Sequence, residues 1–185
     1  PVVPETGVID LPVLEQWITG GEVTCVSVMA ANNETGALQP WPEIAALCRE
    51  SGVRYHNDAA QWIGKCPVAG LGDCDFVTGS GHKFGGGRGV GFLILPEDHE
   101  EIHFHGQIGG PQEDGRRAGT EDLPGIVAMV AALMERTDST REGLGKRVAA
   151  ERDAFERRIE KAIGARILAA AGPRLWNTSM FVVPH

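Results

Sequence analysis

The run from Thr24 to Ala31 is nearly continuous in apolar residues and rich in valine, and it stops abruptly at Asn32-Asn33-Glu34-Thr35-Gly36. Such a run suits a strand buried on both faces of a sheet, and the residues after it are turn formers. The same alternation recurs downstream. Pro42 stands where a first helical residue belongs. Ile44, Ala45, Leu47 and Cys48 make one apolar stripe, and Gly52 closes that helix. Val53 to His56 reads as a second strand with Asp58 just past its end. Asp75 to Thr78 reads as a third, running into the glycine-rich loop around Lys83, and Gly89 to Leu95 as a fourth, stopped by Pro96. An earlier short helix, Leu11 to Ile18, ends at Gly20-Gly21. Strands alternating with helices predict an α/β fold with a mostly parallel sheet flanked by helices.

Polar residues then fall just beyond strand ends: Asn33, Asp58 with Gln61, and Ser80 to Lys83. In open α/β sheets that edge is where ligands bind. Beyond residue 121 the character changes. Leu123 to Met134 is apolar with helical period, and Leu144, Val148, Phe155, Ile159 and Ile163 follow at helical spacing among charges. This predicts a long helix, bent near Thr137–Thr140, leaving the first domain. The strand-like stretch Asn177 to Val183 would begin another. The expected division is residues 1–135 as a large domain and 136–185 as a connecting helix and the start of a small α+β C-terminal domain.

Charge narrows the partners. A net charge of −8 argues against nucleic acid, whose phosphates require a Lys/Arg surface. No apolar run approaches the ~20 residues of a membrane span. Cys25, Cys48, Cys66 and Cys74 form no Cys-x-x-Cys pair, so reduced thiols in a cytoplasmic protein are expected. The chain holds 25 glycines, crowded into 79–91 and 106–125, which points to tight loops near a site.

The densest of these loops is Thr78-Gly79-Ser80-Gly81-His82-Lys83-Phe84-Gly85-Gly86-Gly87-Arg88-Gly89. It contains neither a Walker phosphate loop nor a dinucleotide fingerprint. An enzyme of pyridoxal 5'-phosphate (PLP) needs a Schiff-base lysine, a carboxylate for the pyridine nitrogen and a phosphate cup. Lys83 and Asp58 can serve as the first two. Each also has an ordinary reading, Lys83 as a surface lysine on a turn and Asp58 as a helix N-cap for residues 59–63. Gln61 is either a donor to the cofactor's phenolic oxygen or a solvated amide.

Four segments in order, Asn32-Asn33-Glu34-Thr35-Gly36, His56-Asn57-Asp58-Ala59-Ala60-Gln61, Ser80-Gly81-His82-Lys83 and Arg116-Arg117-Ala118-Gly119-Thr120-Glu121, resemble the signatures of one family. It is the cysteine desulfurases of the nitrogenase and iron–sulfur-cluster type, within the class V aminotransferase superfamily of PLP fold type I. The resemblance implies Lys83 as cofactor anchor and proton carrier, its pKa lowered by burial beside the cofactor. It implies Asp58 on the pyridinium nitrogen, Gln61 on the phenolic oxygen, Ser80 and His82 on the phosphate, and Asn33 beside the substrate. Thr120 would reach the phosphate of a neighbouring subunit, making a homodimer with shared sites, with Arg116 and Arg117 supporting that loop. L-cysteine would give alanine and an enzyme persulfide that passes sulfur to an acceptor protein. Members also have N- and C-terminal parts expected to be missing here, including the persulfide-forming cysteine, and none of the four cysteines takes its place. The competing functions are another class V aminotransferase or lyase, and a catalytically silent chain acting as a binding module.

Two departures from the family pattern stand out. Gly86-Gly87-Arg88-Gly89 replaces Gly-Pro-Lys-Gly, and Asp122 replaces an asparagine after Gly119-Thr120-Glu121. Outside the signatures, His103-Phe104-His105 has no third metal ligand, and Glu97 to Glu101 reads as a solvated segment. Glu142 and Lys146 read as a helix-surface pair, and Trp17, Trp41, Trp62 and Trp176 as packing residues.

Overall fold

Asp10 starts the first regular element. Its carboxylate accepts a hydrogen bond from the Val13 amide at 3.2 Å, capping α1 (Leu11–Thr19). The computed structural model describes residues 1–96, 98, 106–136 and 138–184, with the side chains of 138–142 excepted. The expectations for 97 and 99–105 (the two histidines and most of the acidic segment), for a bend at Thr137–Thr140, and for the Glu142 pair lie outside the described residues or side chains.

The chain continues through β1 (Cys25–Met29), α2 (Trp41–Glu50), β2 (Arg54–Asp58), β3 (Phe76–Ser80) and β4 (Gly91–Ile94). These strands form one sheet in the order β1-β2-β3-β4. The first three run parallel and β4 is antiparallel to β3, which bears out the mostly parallel α/β reading. Boundaries moved by a residue or two. β2 extends through Asp58 and β3 through Ser80, so both residues end strands rather than follow them.

Alternation along the strands sorts the side chains. Val26, Tyr55 and Val77 point to the face covered by α1 and α2, where Leu14, Ile18, Ile44 and Cys48 complete the core. The opposite face carries Ser27, His56, Asp58 and Thr78. The expectation that β1 is buried on both faces is therefore corrected. Cys25, Ser27 and Met29 are exposed, because no helix among the described residues packs over them.

The second half also departs from the sequence pattern. α3 (Leu123–Met134) buries only Met129, which packs beside Gly81. On α4 (Asp138–Ile163), Phe155 and Ile163 of the expected apolar stripe are exposed, and the buried positions among its described side chains are Gly145 and Glu156. Of the Asn177 to Val183 stretch, only β6 (Phe181–Val182) is strand. It pairs antiparallel with β5 (Arg166–Ile167), which no sequence signal marked. Trp17 is exposed rather than packed. Trp41 and Trp62 do pack, edge to face at 5.8 Å.

Candidate functional site

The parallel register sets the C-terminal ends of β1, β2 and β3 side by side, with Met29 opposite Asp58 and Asp58 opposite Thr78. Three loops leave that edge. The first is organised by Asn32, whose Oδ1 accepts from the Glu34 amide at 2.9 Å and the Thr35 amide at 2.8 Å. This Asx turn leaves Asn33 exposed at its tip. The C-terminal segment supports it from behind. The Leu175 amide donates to the Gly36 carbonyl at 2.8 Å. Gly36 has φ +77°, and a Cβ there would lie 2.9 Å from Thr178.

The second loop follows Asp58. Its Oδ1 accepts from the Ala60 amide at 3.0 Å, so the capping alternative is realised, on a turn rather than a helix. That bond uses one carboxylate oxygen, and the exposed Oδ2 has no partner among the described residues. The turn carries Gln61 and ends at Gly64, where φ is +78° and a Cβ would fall 2.2 Å from that of Phe84. Only glycine permits this approach of the second loop to the third.

The third loop is a 3-10 turn, Gly81–Lys83, closed by hydrogen bonds from the Phe84 and Gly86 amides to the Gly81 carbonyl at 3.2 and 2.9 Å. Ser80 Oγ and His82 Nδ1 are 2.9 Å apart. Phe84 is buried and plugs the loop into the core. Lys83 is exposed and makes no hydrogen bond or ion pair among the described residues. The expected burial of this lysine is thus not supplied by the described residues. The lysine whose charge burial disfavours is Lys65, held below the ordinary lysine range by desolvation and then by the neighbouring Lys83 charge.

Beneath the edge, His56 bridges three strands, with Nδ1 2.8 Å from Ser27 Oγ and Nε2 3.1 Å from Thr78 Oγ1. Asn33, Asp58, Gln61, Ser80, His82 and Lys83 therefore share one edge. Thr120 stands apart. It is exposed on a different segment, and no hydrogen bond among the described residues ties it to this edge. Arg117 turns back on its own loop, its Nε and Nη2 donating to the Ala118 carbonyl at 3.1 and 3.0 Å.

Residues 2–183 match the family described as Aminotransferase class-V. The chain belongs to that family. The class-V chain is 50% identical over 112 residues to a cysteine desulfurase of Klebsiella pneumoniae, covering 60% of itself and 28% of the relative. It is 43% identical over 135 residues to the cysteine desulfurase IscS of Rickettsia bellii, covering 71% of itself and 32% of that relative. A NifS-like protein of Rickettsia africae superposes with TM-score 0.88 at 30% identity, covering 99% of this chain and 51% of the solved one. This class-V chain thus spans under a third of these curated relatives and about half of that solved structure. Class-V aminotransferases are PLP-dependent enzymes, and the fold is that of the matching part of the NifS-like protein. No helix among the described residues is long and apolar enough to cross a membrane.

Sequence reasoning passed over Lys65, whose Nζ lies 3.0 Å from both Gln61 Oε1 and the Gln61 carbonyl oxygen. The i, i+4 spacing of Gln61 and Lys65 was the available signal. It also passed over Gly64 and Asn32, which are structural parts of the site.

Proposed function

We propose that this chain forms the PLP-binding part of a cysteine desulfurase, with Lys83 as the cofactor's anchor. One observation carries the reading. An unpaired, exposed lysine on the turn after β3 and a carboxylate with one unpartnered oxygen at the end of the neighbouring parallel strand β2 share one sheet edge, with a hydrogen-bonded Ser–His pair on the lysine's own turn. The donor set fits PLP: an amine for its aldehyde, an anion for its ring nitrogen, and hydroxyl and imidazole donors for its phosphate.

PLP, when bound, supplies a ring that draws electrons from the substrate's α-carbon. The chain's own residues do the rest. Lys83 would hold the group at its aldehyde carbon, and its Nζ would be the atom that carries the substrate's α-proton. Asp58 would hold the proton of the ring nitrogen by charge. Ser80 and His82 orient the phosphate, with their mutual hydrogen bond fixing both. Asn33 lies at the edge that receives the substrate, L-cysteine. The products are alanine and sulfur carried as a persulfide on a cysteine other than the four seen here, for delivery to an acceptor protein. The working form is a cytoplasmic homodimer in which Thr120 meets the partner's phosphate. Residues 1–135 act as its large domain, and 136–185 lead into the small one.

The test is reductive trapping. With PLP and borohydride, peptide mapping is expected to place the label on Lys83, and Lys83→Ala is expected to abolish it. Equal labelling of the variant would sink the anchor assignment. In the protein carrying this segment, L-cysteine with a reductant is expected to release sulfide, and none from a PLP-loaded sample would overturn the desulfurase reading alone.

A further inference from the structure

Gln61 ends in an amide whose two arms are alike in shape and opposite in chemistry, since Oε1 accepts and Nε2 donates. Which arm faces the ligand edge is decided by what holds the other. Lys65 Nζ donates to Gln61 Oε1 at 3.0 Å and to the Gln61 carbonyl oxygen at 3.0 Å. An ammonium has three donors and no acceptor. Turning the amide over would set an –NH2 against an –NH3+, leaving a donor facing a donor.

Lys65 is itself anchored at the backbone. Its amide donates to the Trp62 carbonyl at 3.0 Å, and its carbonyl accepts from Trp176 Nε1 at 3.1 Å. The preceding Gly64 is locked against Phe84, next to Lys83. The side chain is only partly exposed, so water competes weakly for Nζ. Gln61 Nε2 makes no hydrogen bond among the described residues. Its donor capacity is unspent.

We propose that Lys65 is a positioning residue, which clamps Gln61 Oε1 so that Nε2 is presented as a hydrogen-bond donor to the phenolic oxygen of PLP. The proposal rests on the reading of Lys83 as cofactor anchor and of Gln61 as neighbour of that oxygen. A donor fixed there favours the oxygen as an anion and so sets the pH at which the bound cofactor changes its protonation. Lys65 touches neither cofactor nor substrate, and acts through the amide.

A double-mutant cycle on the chain separates this role from a merely structural one. Lys65→Met, Lys65→Arg, Gln61→Ala and the Met/Ala double variant are compared by PLP affinity and by the pH midpoint of the bound cofactor's visible band. Lys65→Met is expected to weaken PLP about five-fold, as loss of one oriented hydrogen bond would, and to move the midpoint by about half a unit or more. Lys65→Arg keeps donors in reach and is expected to restore most of both. In the Gln61→Ala background, Lys65→Met is expected to change affinity by less than about two-fold. An equal effect in both backgrounds would overturn the proposal, as would an unmoved midpoint in Lys65→Met with Lys83 still labelled. If Lys65→Met fails to fold, Lys65→Gln takes its place in the cycle under the same criteria. A wild-type chain that takes up no PLP at Lys83 overturns the cofactor reading, and this proposal with it.

Discussion

Four thiols in a chain proposed to serve sulfur chemistry invite the question of which can react. Burial pushes the Cys48 thiol up to about 11, helped by the negative charge of Asp75, and burial raises Cys74 as well. Cys66 is buried too, whereas Cys25 lies exposed on β1. Since the thiolate is the nucleophile, a disulfide reagent at neutral pH is expected to modify Cys25 quickly and Cys48 and Cys74 only on unfolding. Cys25→Ser would then remove the fast phase, and rapid labelling of Cys48 in the folded chain would contradict the burial argument. At this scale the sequence was most legible where a residue broke its surroundings. Lys83 among glycines, Asp58 after an apolar strand and the Ser80–His82 pair all stand out. Lys65 did not, because a lysine four residues after a glutamine reads as ordinary turn surface until the fold buries it.

At the scale of elements, α4 shows why periodicity misled. Its apolar residues predicted an inward stripe, yet the side chain it buries against the C-terminal segment is Glu156. Arg174 grips that carboxylate with both arms, Nη1 to Oε1 at 2.7 Å and Nη2 to Oε2 at 2.8 Å, with side chains 7% and 8% exposed. A bidentate partner makes such burial tolerable, and no hydropathy pattern anticipates it. The Arg174 hydrogen bonds hold the Glu156 carboxyl below the usual glutamate range, against the opposing effect of burial. Because the folded pKa is depressed, the unfolded chain binds more protons as pH falls, so this stability is present at neutral pH and lost through the acid range. Arg174→Met is expected to cost about 3–5 kcal/mol at pH 7, by stranding the carboxylate. The loss should shrink on acidification, as read by urea unfolding at several pH values. A pH-independent loss would mean that Arg174 works by packing alone. The four strands of the main sheet, by contrast, were readable within two residues, helped by Gly52 before β2 and by the glycines flanking β3 and β4. The same punctuation explains Gly64→Ala. Its added methyl meets Phe84 at φ +78°, so it is expected to cost about 2 kcal/mol or more and to weaken PLP uptake in parallel. A fully stable variant would show that the two loops can part without harm.

For the whole molecule, the distribution of apolar surface matters more than its amount. The core lies under one face of the sheet, and α3 packs through Met129 while Leu123, Val127, Val130 and Met134 are 67%, 58%, 47% and 74% exposed. A sequence reader sees an apolar helix and assigns it to a core. The chain does not bury it, because the neighbours shown for α3 among the described residues, the glycine loop with its 3-10 turn and Val90, lie on one side only. Burial, not hydropathy, sets the energetic role of a side chain. Replacing Val127 and Val130 together by Gln is therefore expected to change unfolding free energy of this chain by no more than about 1 kcal/mol, in line with surface substitutions. The same change should lower the binding of a dye that reports exposed apolar patches. A loss of several kcal/mol would show that these valines are inside a packed interface of the chain itself. A neutral double variant whose dye binding falls would show instead that the two valines form exposed apolar surface on this chain.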